Sequence, residues 1–163
     1  MTQSNLSIAI YPGTFDPITL GHENVAHRAT KIFDKVIVAV AGNMNKQSFF
    51  SFEERVVLAK TVFKDHKEIE VVGFKGLLME FVESQNAHVV IRGLRAVSDF
   101  EYEFQLAGMN RKLYPNVETL FLTPSEQFTF LSSSLVREVA TLGGNIEQFV
   151  SPVVKEAMKK TGR

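Results

Sequence analysis

The chain has 163 residues, with 18 lysines and arginines against 18 aspartates and glutamates, so its formal net charge is zero. This balance argues against a general nucleic-acid-binding protein and against a protein held on anionic membranes by charge, because both need surplus positive charge. The absence of cysteine excludes disulfide scaffolds, thiolate metal sites and cysteine nucleophiles. No apolar run approaches the ~20 residues of a membrane span, and no secretory signal is visible. We therefore expect a cytoplasmic protein with neither a membrane nor a nucleic acid as partner.

Short apolar segments rich in β-branched residues alternate with segments of helical periodicity. Each of the short apolar segments is too short for a helix and almost entirely apolar, as expected of parallel strands buried on both faces. The predicted strands are Leu6–Tyr11, Val36–Ala41, Ile69–Phe74, Val89–Arg92 and Val117–Leu122. The alternation predicts a single domain over residues 1–163, with an α/β, Rossmann-like, doubly wound fold around a parallel five-stranded sheet. Such folds bind ligands at the carboxyl ends of their strands, so the loops after the strands form the candidate site.

Capping signals mark where several helices begin and end. Ser51 and Glu54 form a predicted capping box at the start of the second helix, and Ser98 and Glu101 form another at the start of the fourth. A further helix follows a serine cluster after the last strand and ends before Gly143, a residue type typical of helix C-termini. These signals place the helices between the strands.

The loop after the first strand carries the strongest functional signal. It reads YPGTFDPITLGH over residues 11–22, a tight, irregular turn in which Gly13 is free to adopt a positive φ. Thr14 offers a hydroxyl and a backbone N–H at the sheet edge. His22 falls in the first turn of a helix, where free N–H groups and the macrodipole favour anions, so it can donate a hydrogen bond to a phosphate. Asp16 is interpreted as an Asx-turn residue rather than a metal ligand.

Cationic side chains follow two other strands. Lys46, after the second strand, suits a phosphate as a point charge, although an isolated lysine more often lies on solvated surface. Arg92 and Arg95 flank a tight turn after the fourth strand and can converge on one anion. The alternative is a structural role, with Asp99 or Glu101 as their partners.

Two segments together resemble a known family. Thr19-x-Gly21-His22 resembles the T-x-G-H motif of the nucleotidyltransferase superfamily, and the longer string YPGTFDPITLGH resembles the phosphopantetheine adenylyltransferase family. The resemblance extends from about Ile8 to Phe149, and it implies the nucleotidyltransferase type of the α/β fold.

The serine cluster after the last strand lies in the second of the two segments that carry the resemblance, residues 128–138. One of Ser132–Ser134 is expected to be a helix N-cap, and the cluster can also form a nest of hydroxyl and N–H groups for a phosphate. FTFLSSSLVRE is similar to the family's adenylate-binding segment. Its common form I-S-S-T-x-x-R occurs here with Leu131 for Ile and Ser134 for Thr, while Arg137 is retained.

The resemblance implies transfer of the adenylyl group of ATP to 4′-phosphopantetheine, giving dephospho-coenzyme A and pyrophosphate. His22 is the implied catalytic residue, as a stabiliser of the transition state. The implied ATP-binding residues are Thr14, Phe15, His22, Gly93, Leu94, Arg95, Glu103, Phe128, Thr129, Phe130, Leu131, Ser132, Ser133 and Ser134. The implied phosphopantetheine-binding residues are Thr14, Lys46, Leu78 and Arg92, with Asn110 a weaker candidate. Spacing alone is also compatible with Leu78 in the core and with Glu103 as a solvated helix carboxylate.

The chemistry of the acceptor agrees with what the sequence lacks. A phosphate monoester has a second pKa near ~6, so at neutral pH it attacks without a general base. Nothing resembles a Ser-His-Asp set or a pair of carboxylates spaced for acid–base work. Catalysis is therefore expected to depend on positioning and electrostatics.

Cofactors and assembly follow from the resemblance alone. It implies Mg²⁺ bound through ATP with no metal ligands from protein side chains, a homohexamer, and coenzyme A as a feedback ligand. His27, His66 and His88 are interpreted as surface or core residues. The alternatives are a nicotinamide mononucleotide adenylyltransferase or a cytidylyltransferase of the same superfamily, or a non-catalytic nucleotide sensor on the same framework.

Overall fold

The predicted strands pair into one parallel sheet in the computed structural model, which describes residues 5–42 and 47–162. The strands are β1 (Ile8–Gly13), β2 (Lys35–Gly42), β3 (Ile69–Lys75), β4 (Val89–Gly93) and β5 (Glu118–Leu122). The helices are α1 (Leu20–Ala29), α2 (Phe52–Val62), α3 (Leu78–Ser84), α4 (Val97–Leu113), α5 (Ser133–Thr141) and α6 (Pro152–Thr161), with a short 3-10 turn at Glu126–Phe128. The predicted α/β fold class is confirmed, and each strand begins within two residues of its predicted start.

The order of the strands creates the crevice in which a ligand can bind. The order is β3-β2-β1-β4-β5. From β1 the chain first adds β2 and β3 on one side and then β4 and β5 on the other, so the strand order reverses between the parallel neighbours β1 and β4. These two strands pair at Ala9–Val89 and Ile10–Val90, and the recorded pairing stops three residues before each strand ends. A crevice at the carboxyl ends of two such strands is the usual binding place in a doubly wound fold.

Successive side chains along a strand pack alternately into two separate hydrophobic cores. Ala9 and Tyr11 of β1 contribute to the core beneath α1, α2, α5 and α6, whereas Ile10 contributes to the core beneath α3. Val36 and Ile37 of β2 divide in the same way. Because both faces are buried, the strands read as continuous apolar runs rather than as an alternating pattern.

The two predicted capping boxes have different outcomes. At α2 the box is confirmed: the Glu54 N–H donates to Ser51 Oγ at 3.1 Å, and the Ser51 N–H donates to the Glu54 carboxylate at 2.7 Å. At α4 the prediction is wrong, because the helix begins two residues earlier than a cap at Ser98 requires, with Ala96 as N-cap and no side-chain cap. Asp99 lies in the first turn of α4, where a negative charge is favourable, and it pairs with Arg95.

Among the described residues, no helix is both long enough and apolar enough to cross a bilayer.

Candidate active site

A cavity of about 320 Å³ lies at the carboxyl ends of β1 and β4. Its walls come from the loop after β1, the start of α1, the end of β4, the first turns of α4, and the segment that leads into α5. The predicted site residues that line it are Thr14, Phe15, His22, Arg92, Gly93, Arg95, Glu103, Phe128, Leu131, Ser132, Ser133 and Ser134. The fold thus brings together residues that are more than a hundred positions apart in the sequence.

Several predicted residues do not line this cavity. Leu78 packs against the core beneath α3, and Phe130 is 61% exposed with its ring against Phe149. The Leu94 N–H donates to the Leu122 carbonyl, as a continuation of the sheet pairing. Thr129 bonds within its own turn, where its hydroxyl donates to the Glu126 carbonyl.

Lys46 and Asn110 are the two remaining predicted residues. Lys46 lies outside the described residues, so its proposed contact stays a prediction. Asn110 is buried on α4, but it is not among the residues that line the cavity.

His22 is held by a reciprocal hydrogen-bonded cap at the start of α1. Thr19 is the N-cap residue, and its Oγ1 accepts the His22 N–H at 3.3 Å. In return, the Thr19 N–H donates to His22 Nδ1 at 3.0 Å. The spacing of threonine and histidine is therefore a capping box in which histidine takes the place of the usual glutamate or glutamine. Both residues were predicted to matter, but this interaction was missed, although the Thr-x-x-His spacing is a signal for it.

The cap determines which nitrogen of His22 carries its proton. A backbone N–H is always a donor, so Nδ1 must be an acceptor and the proton of the neutral ring is on Nε2. Burial, and secondarily the positive charge of Arg95, lower the pKa of His22 to about 4. At neutral pH the ring is therefore uncharged, with one N–H left to donate towards a ligand in the cavity.

Phe15 supports the imidazole from the side. Its buried ring lies edge-on to His22 with a centroid distance of 5.0 Å, and edge-on to Tyr11 at 5.4 Å. Phe15 has a φ of 51°, the left-handed region that non-glycine residues rarely adopt. A Cβ at Gly13 would lie 3.0 Å from this ring. Gly13 does not use the positive φ that was open to it: it leaves space for the ring, and the unusual backbone conformation is at Phe15.

Arg92 and Glu103 form a two-pronged ion pair at the cavity wall. Arg92 Nε and Nη2 each donate to one carboxylate oxygen of Glu103 at 2.8 Å, and Glu103 is buried. Burial by itself would lower the pKa of Arg92, but the hydrogen bonds and charge of Glu103 more than offset it, so the pKa is raised. Nη1 of Arg92 has only a 3.5 Å contact with the Pro12 carbonyl and is the part of the guanidinium left for a ligand.

Arg95 has a different set of partners. Its Nη1 donates to the Leu131 carbonyl at 2.8 Å, and its Nε lies 3.7 Å from the Asp99 carboxylate. Of the two carboxylates considered as structural partners, Asp99 is thus used by Arg95. The pairing of Arg92 with Glu103 was not predicted, since Glu103 was assigned to ATP.

The three serines before α5 have separate roles. Ser132 is the N-cap, and its Oγ accepts the Leu135 N–H at 3.1 Å. The Ser133 hydroxyl donates to the Pro17 carbonyl at 2.8 Å, and Ser134 Oγ accepts from Arg137 at 3.2 Å. The first N–H groups of α5 have no partner within the helix and lie beside the cavity, where an anion can bind them.

Asp16 is not an Asx-turn residue. Its buried carboxylate accepts the N–H groups of Phe49 and Phe50 at 2.7 and 2.9 Å, and its carbonyl accepts a hydrogen bond from Arg137 at 2.6 Å. An Asx turn is local, whereas these partners are more than thirty residues away. Sequence spacing gave no indication of them. The Asp16 interactions tie the loop after β1 to two distant segments.

Asn24 is another residue that sequence reasoning missed. Its amide oxygen accepts the Ser125 N–H at 2.8 Å, while its amide nitrogen donates to Ser125 Oγ at 3.1 Å. This paired contact holds the segment before α5 against α1.

The other histidines lie away from the cavity lining. His27 and His66 contact each other at a ring-centroid distance of 4.3 Å beside Phe63, and His88 lies against Tyr114. Among the described residues, no group of three or more acidic, histidine or cysteine side chains is placed to hold a metal ion.

The cap makes a prediction about the titration of His22. Because the folded pKa of about 4 is below the ordinary value of 6.5, the ring should stay neutral as the pH falls from 8 to 5. Nitrogen-15 spectra of histidine-labelled protein should then show the Nε2–H tautomer throughout this range, with the resonance identified by its loss in His22→Gln. A His22 signal that titrates near 6.5, or that reports a proton on Nδ1, would contradict the cap.

Comparisons with known proteins identify the family of the chain. A family model described as Cytidylyltransferase-like matches residues 10–139. The chain is 62% identical over 151 residues to the phosphopantetheine adenylyltransferase of Nitrosomonas eutropha, covering 93% of this chain and 92% of the relative. It is 61% identical over 146 residues to that of Nitrosospira multiformis, covering 90% and 88%.

A solved structure shares the fold of this chain. The Plasmodium falciparum nicotinic acid mononucleotide adenylyltransferase complexed with NaAD superimposes with a TM-score of 0.71 at 18% identity, over 95% of each chain. This identity shows a shared fold, whereas the high identity to the curated relatives shows the family. The chain belongs to the phosphopantetheine adenylyltransferase family, within the Cytidylyltransferase-like proteins.

Proposed function

We propose that this cavity catalyses transfer of the adenylyl group of ATP to 4′-phosphopantetheine, with His22 as the stabiliser of the transition state. A phosphate oxygen of phosphopantetheine attacks the α-phosphorus of ATP, the bond from that phosphorus to the β-phosphate oxygen breaks, and pyrophosphate leaves. The product is dephospho-coenzyme A, as the family membership indicates. The observation that carries the role of His22 is its cap, which leaves a neutral Nε2–H as a fixed donor for a developing negative charge.

Phosphate groups find complementary partners on both sides of His22. On the acceptor side, we assign the attacking phosphate to Thr14 and to Nη1 of Arg92, whose recorded contact with the Pro12 carbonyl is long, at 3.5 Å. On the nucleotide side, we assign the triphosphate to Arg95 and to the N-terminus of α5, both of which line the cavity. Lys46 and Leu78 remain proposals by resemblance on the acceptor side.

The position of Glu103 changes its proposed role. Its two carboxylate oxygens already accept from Arg92, and a contact with ATP would have to use the remaining lone pairs. We therefore assign to Glu103 the orientation of the Arg92 guanidinium. Glu103 lies on α4 and Arg92 at the end of β4, so the pair also joins these two elements.

Mg²⁺ is proposed to enter with ATP. The two carboxylates that line the cavity, Asp99 and Glu103, are paired with Arg95 and Arg92. This donor set suits a metal bound by phosphate oxygens and water rather than by protein ligands. The ion would neutralise charge on the triphosphate, and the protein residues would then position the α-phosphoryl group.

The first experiment tests the reaction and its substrate. Purified protein should release pyrophosphate and form dephospho-coenzyme A from ATP, Mg²⁺ and 4′-phosphopantetheine. With CTP in place of ATP, or nicotinamide mononucleotide in place of phosphopantetheine, kcat/KM should be at least about 100-fold lower. Equal use of another pair would assign the chain to that activity, and ATP binding without pyrophosphate release would indicate a nucleotide sensor.

The second experiment separates the two uses of the His22 side chain. His22→Ala loses both the cap and the donor, whereas His22→Gln keeps a cap acceptor at the third helical position. Both variants should lower kcat by about 10²–10³-fold, corresponding to about 3–4 kcal/mol of transition-state stabilisation, while ATP binding survives. Thermal unfolding should be affected less by the glutamine. Near-normal turnover of His22→Ala would refute the proposed role.

A homohexamer, regulation by coenzyme A and a cytoplasmic location are proposed from the family resemblance. Exposed apolar side chains on α4 support self-association, since a monomer rarely leaves so many on one helix. They are Phe100, Tyr102, Phe104, Met109 and Leu113, each between 46% and 66% exposed.

Light scattering after size-exclusion chromatography tests the assembly. The wild-type protein should have about six times the chain mass of 18.3 kDa. Phe104→Glu should yield a smaller species, because it would place a charge in the proposed contact. Leu142→Glu is the matched control, since Leu142 is 80% exposed at the end of α5 and should tolerate the charge. A monomeric wild-type protein, or equal effects of the two substitutions, would contradict the proposal.

A further inference from the structure

Arg55 is a buried arginine whose side chain reaches three separate backbone segments. It lies on α2 and is 4% exposed. Its Nη1 donates to the Thr14 and Ala41 carbonyls, each at 2.7 Å, and its Nε donates to the Phe50 carbonyl at 3.4 Å. These carbonyls belong to the loop after β1, to the end of β2 and to the segment that enters α2.

The environment of Arg55 is unusual for a charged side chain. Burial lowers its pKa, and the negative charge of Asp16 acts in the opposite direction. Its recorded hydrogen bonds all go to carbonyls. The guanidinium also lies over the Phe52 ring, 5.8 Å from its centroid. Burying a charge that has no hydrogen-bonded carboxylate is costly, so the carbonyl contacts are needed to offset that cost.

Asp16 and Arg55 together join the same two segments. Asp16 accepts the N–H groups of Phe49 and Phe50, while Arg55 donates to the carbonyls of Phe50 and Thr14. The Asp16 carboxylate thus binds backbone N–H donors, and the Arg55 guanidinium binds backbone carbonyl acceptors. The loop that carries Thr14 is fixed against the entry to α2 from both sides.

We propose that Arg55 is a positioning residue for adenylyl transfer, which holds the Thr14 backbone so that Thr14 keeps its place with His22 in the cavity lining. This inference rests on the proposed contact of Thr14 with the attacking phosphate. Arg55 lies outside the cavity lining, so it acts through Thr14 and not by touching a substrate.

The nucleotide side of the cavity is held by contacts that do not involve Arg55. The Ser133 hydroxyl bonds to Pro17, Arg95 bonds to Leu131, and Asn24 bonds to Ser125. Loss of Arg55 should therefore change the acceptor side selectively. A general loss of folding would not make this distinction.

The test uses Arg55→Met, which keeps the length of the side chain without its donors, and Arg55→Lys, which keeps the charge without the planar fork. Lys60→Met is the matched control, because it removes a cation from an exposed position of the same helix. For Arg55→Met we expect kcat to fall by about 10–100-fold and the KM for phosphopantetheine to rise, since a small misplacement is costly in a positioned reaction. The Kd for ATP should stay within about twofold of the wild-type value, Arg55→Lys should be intermediate, and Lys60→Met should match the wild type.

Hydrogen–deuterium exchange provides a readout that does not depend on turnover. In Arg55→Met, exchange should accelerate in peptides that contain Phe49 and Phe50 and in those that cover the loop after β1, but not in the segment Ser125–Ser134. If Arg55→Met fails to fold, the same measurements on Arg55→Lys decide.

The outcomes separate two different failures. If wild-type protein does not convert ATP and phosphopantetheine, the proposed function is wrong, and the exchange pattern alone then judges the positioning of Thr14. If the wild type is active, the Arg55 proposal is overturned by unchanged kinetics in both variants. It is also overturned if kcat falls only in proportion to the folded fraction, with both substrate affinities unchanged.

Discussion

The reciprocal cap between Thr19 and His22 is the interaction on which the site depends. It satisfies two backbone N–H groups at the start of α1, and with the same atoms it fixes the tautomer and direction of the imidazole. A structural need of the helix and a chemical need of the reaction are thus met by one pair of residues. This explains why the threonine and the histidine occur three positions apart: any other spacing would break the cap.

The electrostatics of the site differ from a simple cluster of positive charges. Arg92 is paired with Glu103, Arg95 with Asp99, and Arg137 with the Asp16 carbonyl, so each arginine is held by a partner within the protein. His22 is neutral, and a neutral donor needs no counter-charge when the cavity is empty. Held cations can meet phosphates without first being ordered, which keeps the entropic cost of binding low. The net charge of zero is therefore compatible with a site for two phosphorylated ligands.

Long-range contacts hold the loop after β1 in its place. It carries a left-handed Phe15 and a buried Asp16, both unfavourable in isolation. Arg55 from α2, Arg137 from α5 and the N–H groups of Phe49 and Phe50 surround it and bind its polar atoms. Because these elements come from distant parts of the chain, the shape of the loop depends on the assembled core beneath α1, α2 and α5.

The sequence by itself determined the architecture and the location of the site. Apolar runs and helix signals depend on neighbours within a few residues, so the strands, the cap at Ser51 and the site at the strand ends could be predicted, and the T-x-G-H resemblance pointed to the family. Only the tertiary structure decided which groups meet: Glu103 with Arg92, Asp16 with Phe49 and Phe50, and Arg55 with Thr14. The lowered pKa of His22 belongs to the same class, because it comes from burial by other segments. The physical reason is that hydrogen bonds and desolvation act over a few ångströms in space, and the fold alone brings distant residues that close.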